Sequence, residues 1–287
     1  MKPRILNFGS CNIDHVYLMK EFVRPGETLA CSDYQTYPGG KGLNQSIAIA
    51  LAGGSAIHLG KIGKDGEWLL EILKSFGVNT DFLLTSEKPT GHAMIQVNSE
   101  GENAIVLHGG ANESITVDEI NQGLSLATED DFLLIQNEIN NIPYIIEEAR
   151  RRKLRIAFNA APITEAVKNY PLDKLDLLFV NEIEGSQLSG TTDRQLIPEA
   201  LALRFPNTRI ILTLGENGSI YRFGQDIIPQ PAIEVKKVTD TTGAGDAFTG
   251  TFLAYFSRDE DARLSLQKAA EAASQCISRQ GATTARG

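Results

Sequence analysis

The stretch Val238-Thr239-Asp240-Thr241-Thr242-Gly243-Ala244-Gly245-Asp246-Ala247-Phe248-Thr249-Gly250 reads as a glycine-rich turn leading into a helix. Downstream, Phe248, Phe252, Tyr255 and Phe256 recur at i, i+4, i+7 and i+8, the spacing of one helical face. Upstream, Ala232-Ile233-Glu234-Val235 alternates apolar with polar residues, which predicts a strand running into the turn. Gly243 and Gly245 would then mark a strand-to-helix junction, the repeating joint of an α/β fold. The unpaired N–H groups of a helix's first turn and the positive end of its dipole favour an anion. Glycine lets the backbone approach that anion with no Cβ in the way. Asp246, inside the same turn, is positioned to accept a proton from a hydroxyl beside the anion. Gly-x-Gly-Asp also describes a plain capped helix start, so the wider chain has to discriminate.

At 287 residues, with 42% hydrophobic and 22% charged content, the chain has the composition of an ordinary globular protein with a large core. No apolar run approaches the ~18 residues of a membrane span, and Met1-Lys2-Pro3-Arg4 leads directly into a short strand; a cytoplasmic protein is expected. Cys11, Cys31 and Cys276 are scattered and suggest reduced thiols. His15, His58, His92 and His108 show no zinc-ligand spacing. The 27 basic and 36 acidic side chains give a net charge of −9, which argues against nucleic-acid or anionic-membrane partners. The run Arg150-Arg151-Arg152-Lys153 suits the last turn of a helix, where positive charge complements the dipole.

Taken in order, Arg4 to Phe8 is a first strand closed by Gly9-Ser10. Asn12 and Asp14 project to the same side of an extended chain and could together grip a diol, or simply close the turn. Val16 to Met19 and Thr28 to Cys31, around Pro25-Gly26-Glu27-Thr28, predict strands outside the main core. A second glycine cluster, Pro38-Gly39-Gly40-Lys41-Gly42-Leu43-Asn44-Gln45, opens a helix with apolar Leu43, Ile47, Ala50 and Leu51. It matches neither the Walker loop nor the dinucleotide glycine fingerprint. Strands at Ala93 to Val97 and Ala104 to Leu107 flank a turn at Asn98-Ser99-Glu100-Gly101. Beyond Ile120, strand and helix patterns alternate, which predicts a parallel sheet covered on both faces. Its strand ends carry Gln136-Asn137-Glu138, Asn159, Asn181-Glu182 and Thr213 to Gly218, where such folds place their pockets.

Seven motifs in this order resemble the ribokinase family of carbohydrate kinases over nearly the full length: Gly9 to Asp14, Pro25 to Thr28, Gly39 to Gln45, Glu100 to Asn103, Asn181 to Glu184, Thr213 to Gly215, and Asp240 to Asp246. The resemblance implies a three-layer α/β/α domain over residues 1–287 with a mostly parallel central sheet. It also implies a small β-sheet lid inserted at about 15–37 and 93–107, through which two copies pair as a homodimer. By the same resemblance Asn12, Ile13, Asp14, Gly40, Lys41, Gly42, Leu43, Asn44 and Glu138 belong to the sugar site. Asp246 matches the catalytic base, with Gly243, Ala244 and Gly245 as the anion hole. Asn181, Thr213, Leu214, Gly215, Glu216, Asn217 and Gly218 match ATP contacts, joined by Gly245, Asp246 and, at the adenine wall, Ala270. Glu184 would reach Mg²⁺ through water. Asp240, Thr242, Cys276, Arg279, Gly281 and Ala285 match a site for a monovalent cation, K⁺. Ala285 stands where the family tends to have serine, and Asn159-Ala160-Ala161-Pro162 where Asn-Pro-Ala-Pro is more usual.

The expected reaction is in-line transfer of the ATP γ-phosphoryl group to a sugar primary hydroxyl, O5 of ribose. The alternatives are a kinase of another, fructose-type sugar, a nucleoside kinase, and a catalytically silent sugar sensor on the same fold.

Overall fold

Phe132-Leu133-Leu134-Ile135 is apolar at every position and wholly buried, as a strand covered on both faces must be. The computed structural model describes residues 3–278. The chain opens with β1 (Arg4–Phe8), crosses into β2 (Asn12–Leu18) and β3 (Asp33–Gly39), and returns through α1 (Lys41–Leu51) to β4 (Ser55–Gly63), α2 (Glu67–Ser75) and β5 (Asn79–Ser86). Next come β6 (Gly91–Val97), β7 (Asn103–His108), α3 (Val117–Leu124), β8 (Phe132–Gln136), α4 (Ile142–Arg151) and β9 (Arg155–Asn159). The remainder runs β10 (Leu177–Asn181), α5 (Glu182–Ser189), α6 (Ile197–Arg204), β11 (Arg209–Thr213), β12 (Ser219–Phe223), β13 (Asp226–Gln230), α7 (Ala244–Asp259) and α8 (Ala262–Ile277).

The main sheet has the order β13-β12-β11-β10-β9-β8-β1-β4-β5, parallel from β11 to β5 and closed at the other edge by the antiparallel β12–β13 hairpin. Alternate side chains feed two cores. Leu6, Leu133, Ile156, Leu178 and Ile210 pack with Ile120, Ile145, Leu188 and Leu201 of α3 to α6. Ile5, Phe132, Ala157, Phe179 and Ile211 pack with Leu43, Leu69, Phe252 and Leu266 of α1, α2, α7 and α8. The result is the three-layer architecture expected. After β1 the chain builds the sheet towards β5, then restarts at β8 on the other side of β1. The order therefore reverses between β1 and β8, and a crevice opens beyond their carboxyl ends.

The second sheet has the order β3-β2-β6-β7, with β2 parallel to β6 and the outer pairs antiparallel. Two expected strands do not form. Thr28 to Cys31 is exposed and irregular, and the partner of β2 begins at Asp33, opposite Leu18. Ala232 to Val235 is also irregular: the main sheet ends at β13, so the alternation finds no ladder partner among the described residues. The turn before α7 therefore does not follow a strand directly. Residues 239–240 instead hang from the end of α8, through Thr239 N–H to the Ile277 carbonyl at 2.8 Å and Asp240 N–H to the same oxygen at 3.4 Å.

Candidate active site

Both glycine-rich helix starts contribute to the crevice lining, α1 through Lys41 and α7 through Gly243 and Gly245. Gly40, at φ +93, begins α1, and a Cβ there would meet the Asn12 nitrogen and the Ser10 oxygen at 2.9 Å. The first N–H groups of α1 are already engaged. Lys41 N–H donates to Glu138 Oε2 at 3.0 Å, Gly42 N–H to Ser10 Oγ at 3.2 Å, and Ser10 Oγ–H to the same Glu138 oxygen at 2.5 Å. A carboxylate from the end of β8 thus fills the anion position of this helix.

Gly243, at φ +77, begins α7, and no side chain caps it. Ala244 N–H makes a 3.3 Å bond to the Thr241 carbonyl, while the N–H groups of Gly243, Gly245 and Asp246 meet no acceptor among the described residues. A Cβ on Gly245 would touch nothing within 4 Å, so this turn faces open space. Asp246 is 6% exposed; its Oδ2 accepts from Asn44 Nδ2 at 3.0 Å and its Oδ1 from Gln45 Nε2 at 2.8 Å. Asn44 Oδ1 is buried without a partner. A cavity of about 250 Å³ lies here, with Lys41, Asp246, Gly243 and Gly245 on one wall and Asn181, Glu184 and Thr213 on the other.

The second sheet brings further polar side chains near Lys41 and Asp246, although none of them lines the cavity itself. Asn12 and Asp14 share one face of β2; Ile13 points the other way and joins the apolar core, as does Leu43 of α1. Asn12 Oδ1 accepts from Asn112 Nδ2 at 2.7 Å, and the Asn112 amide also bonds both main-chain groups of Cys11. Asp14 packs so closely on Gly39 that a Cβ there would overlap its carboxyl. Burial above all, then the charges of Glu138 and Asp246, push the Asp14 carboxyl up to about 7, against the pull of Lys41. The Lys41 ammonium is raised in turn, by Asp246 first and further by Glu138, Glu184 and Asp14, against the cost of burial. These groups therefore form one coupled charge cluster.

On the opposite wall, Asn181 and Glu184 cap α5 reciprocally: Glu184 N–H donates to Asn181 Oδ1 at 2.9 Å, and Asn181 N–H and Nδ2 return bonds of 2.8 and 3.0 Å to the Glu184 carboxylate. Burial raises the Glu184 pKa. After Thr213, Leu214 is buried, Gly215–Asn217 form one tight turn, and Gly218 sits at φ +89. Ala270 is buried on α8 and does not line the cavity. Of the cation positions, Asp240 Oδ1 accepts from Thr242 N–H at 2.8 Å and Cys276 Sγ lies 3.5 Å from the Thr242 carbonyl; Arg279, Gly281 and Ala285 lie outside the described residues.

Sequence reasoning passed over Ser10, Gln45, Asn112, Thr241 and Thr249 as site residues. Ser10 and Gln45 lay inside the quoted motifs, and Asn112 follows the Gly109-Gly110 pair that ends the lid; Thr241 and Thr249 line the cavity on either side of the glycine turn.

Over residues 2–286 the chain matches the pfkB family of carbohydrate kinases. It is 34% identical over 281 residues to the ribokinase of Bacillus subtilis (strain 168), covering 96% of this chain and 92% of that protein. The structure of Arabidopsis thaliana ribokinase complexed with ribose and ATP is similar with a TM-score of 0.88 at 30% identity, covering 98% of this chain and 95% of that one. The deoxyribokinase of Salmonella typhi is 29% identical over 279 residues, covering 91% of this chain and 88% of that protein.

Proposed function

The chain belongs to the pfkB family of carbohydrate kinases, and on that premise we propose that it transfers the γ-phosphoryl group of ATP to O5 of D-ribose, giving ribose 5-phosphate and ADP. The observation that carries this reading is the contrast in the crevice: a sealed, carboxylate-filled helix start beneath the lid, and an open one beside Asp246. The sugar lies between Asn12, Asp14, Lys41, Asn44 and Glu138, with O5 towards Asp246. The unpartnered Asn44 Oδ1 is free to accept from a sugar hydroxyl. ATP lies along the cavity, its terminal phosphate at the α7 turn and its remainder towards Asn181 and the Thr213 to Gly218 loop.

In the reaction the O5 oxygen bonds to phosphorus as its proton passes to the Asp246 carboxylate, and the bond from phosphorus to the ADP oxygen breaks. The N–H groups of Gly243 and Gly245, already aimed by the α7 turn, hold the transferring group with little reorganisation and the Lys41 ammonium assists from α1; the Ala244 N–H expected beside them is instead spent on the Thr241 carbonyl. Asp246 accounts for roughly 10² to 10⁴-fold of the rate. The buried carboxylate of Glu184 and the Asn181 amide suit Mg²⁺ held through water, which when bound neutralises phosphate charge. Asp240 and the Thr242 carbonyl would offer oxygen donors to K⁺, whose charge would favour an anion at the glycine turn.

The outer lid is apolar and exposed at Met94, Ile105, Val106 and Leu107, which supports pairing of two lids in a homodimer. The free thiols of Cys11 and Cys31 support a cytoplasmic enzyme; among the described residues no helix is long and apolar enough to cross a membrane.

The test is ATP turnover with Mg²⁺ across ribose, deoxyribose, fructose, fructose phosphates and adenosine, each with and without K⁺. Preferred turnover of ribose, stimulated by K⁺, is expected. Preference for deoxyribose or adenosine would move the acceptor, and sugar binding without any turnover would leave a silent sensor.

A further inference from the structure

Asn44 and Gln45 are consecutive on α1 and both donate to Asp246, yet their surroundings differ. Asn44 has its second amide atom unpartnered at the edge of the sugar site. Gln45 is fully buried, and its Oε1 accepts from Gln136 Nε2 at 2.7 Å. Gln136 Nε2 spends its other proton on Asn7 Oδ1 at 2.8 Å. Asn7 Nδ2 in turn donates to the Gly42 carbonyl and to Ser46 Oγ, both at 2.8 Å.

The polarity of this chain of amides follows from its far end. A backbone carbonyl only accepts, so Asn7 must turn its NH₂ towards Gly42 and its oxygen towards Gln136. Gln136 must answer with NH₂, and Gln45 must then present oxygen to Gln136 and NH₂ to Asp246. Turning any one amide over would set oxygen against oxygen among side chains that are fully buried, a costly arrangement. Asp246 Oδ1 is therefore always met by a donor from below, and the carboxylate plane is held with Oδ2 towards the sugar side, beside Asn44.

We propose that Gln45 is a positioning residue for phosphoryl transfer: its amide, oriented by Gln136 and Asn7 from the Gly42 carbonyl, fixes the Asp246 carboxylate in the attitude that receives the hydroxyl proton. The proposal rests on the reading of Asp246 as proton acceptor. Gln45 reaches no ligand itself, so its effect on the reaction passes through Asp246 alone.

The experiment compares Gln45→Met, which keeps the length of the side chain and removes the donor, with Gln136→Met, which keeps the donor and removes what orients it. Gln45→Met is expected to lower kcat roughly ten- to a hundredfold, the scale of one hydrogen bond to a charged group. KM for sugar and for ATP should stay within about twofold, because ground-state contacts are untouched. Gln136→Met should show the same split with a smaller loss. Added to Asp246→Asn, Gln45→Met should lower single-turnover rates no further. Parent kcat in Gln45→Met, a loss carried by KM, or a full additional loss in the Asp246→Asn background would each overturn the positioning role. If Gln45→Met does not fold, Gln136→Met decides by the same criterion. Asp246→Asn separates the two levels: parent turnover there removes the proton-acceptor reading and Gln45 with it. Inactive Asp246→Asn beside fully active Gln45→Met removes the positioning role alone.

Discussion

Two helices of this protein begin at a glycine with positive φ, α1 after Gly40 and α7 after Gly243, and the same local device ends in opposite states. At α1 the leading N–H groups are spent on Glu138 and Ser10, residues that arrive from the ends of β8 and β1. At α7 they face an open cavity. A glycine helix start is thus an anion site by default, and its availability to a ligand depends on whether the chain supplies the anion itself. A helix start neutralised from within thus stands next to one still able to take an anion.

The strongest way to break this contrast is at the open start. Asp246→Asn should lower kcat at least about a hundredfold while calorimetric sugar affinity changes little; near-parent turnover would show that the open start is not where the proton goes. The glycines sharpen the comparison next. Gly42→Ala in α1 drives a Cβ into the Gly9 backbone, and a loss of roughly 1–3 kcal/mol or more is expected in denaturant melts without any ligand. Gly245→Ala in α7 meets no protein atom, so ligand-free stability should hold within about 1 kcal/mol while kcat/KM for ATP falls about a hundredfold. Equal behaviour of the two variants in both assays would erase the distinction.

Glu138→Ala should convert the closed start into an open one. Two hydrogen bonds to a carboxylate are lost, at about 1–3 kcal/mol, and sulfate should then raise the Tm of the variant more than that of the parent. The smallest effect concerns Asp14, which senses both starts through Glu138 and Asp246. Its carboxyl titrates at about 7 in the folded protein and near 4 in an unfolded chain, so ionisation costs the folded state progressively as pH rises between those values. Asp14→Asn removes that cost. Without sugar, the Tm of the variant relative to the parent should therefore climb between pH 5 and pH 8; a flat difference would remove the coupling.

Much of this was legible in the chain. Apolar runs such as Phe132 to Ile135 announced strands buried on both faces, and the Phe248, Phe252 and Phe256 stripe announced α7, because each signal lies within one element's own period. The strands expected at Thr28 to Cys31 and Ala232 to Val235 failed for the complementary reason. Alternation states a preference, but a strand also needs a neighbour to pair with, and both stretches lie exposed without one. Strand β5 and helix α5 went unread: β5 mixes polar residues into its run, and α5 has little apolar periodicity beyond Leu188.

The sequence by itself determined where helices could start on glycine, which acids and amides stood at strand ends, and the family those motifs share. Only the tertiary structure decided which helix start stays open, because the answer lies in contacts between residues far apart in the chain. Glu138 reaches the Lys41 N–H across 97 positions, and Gln45 reaches Asp246 across 201. A motif encodes its own backbone turn within a few residues, whereas the charge that fills the turn, or leaves it empty, is brought by the packing of elements whose meeting no local pattern records.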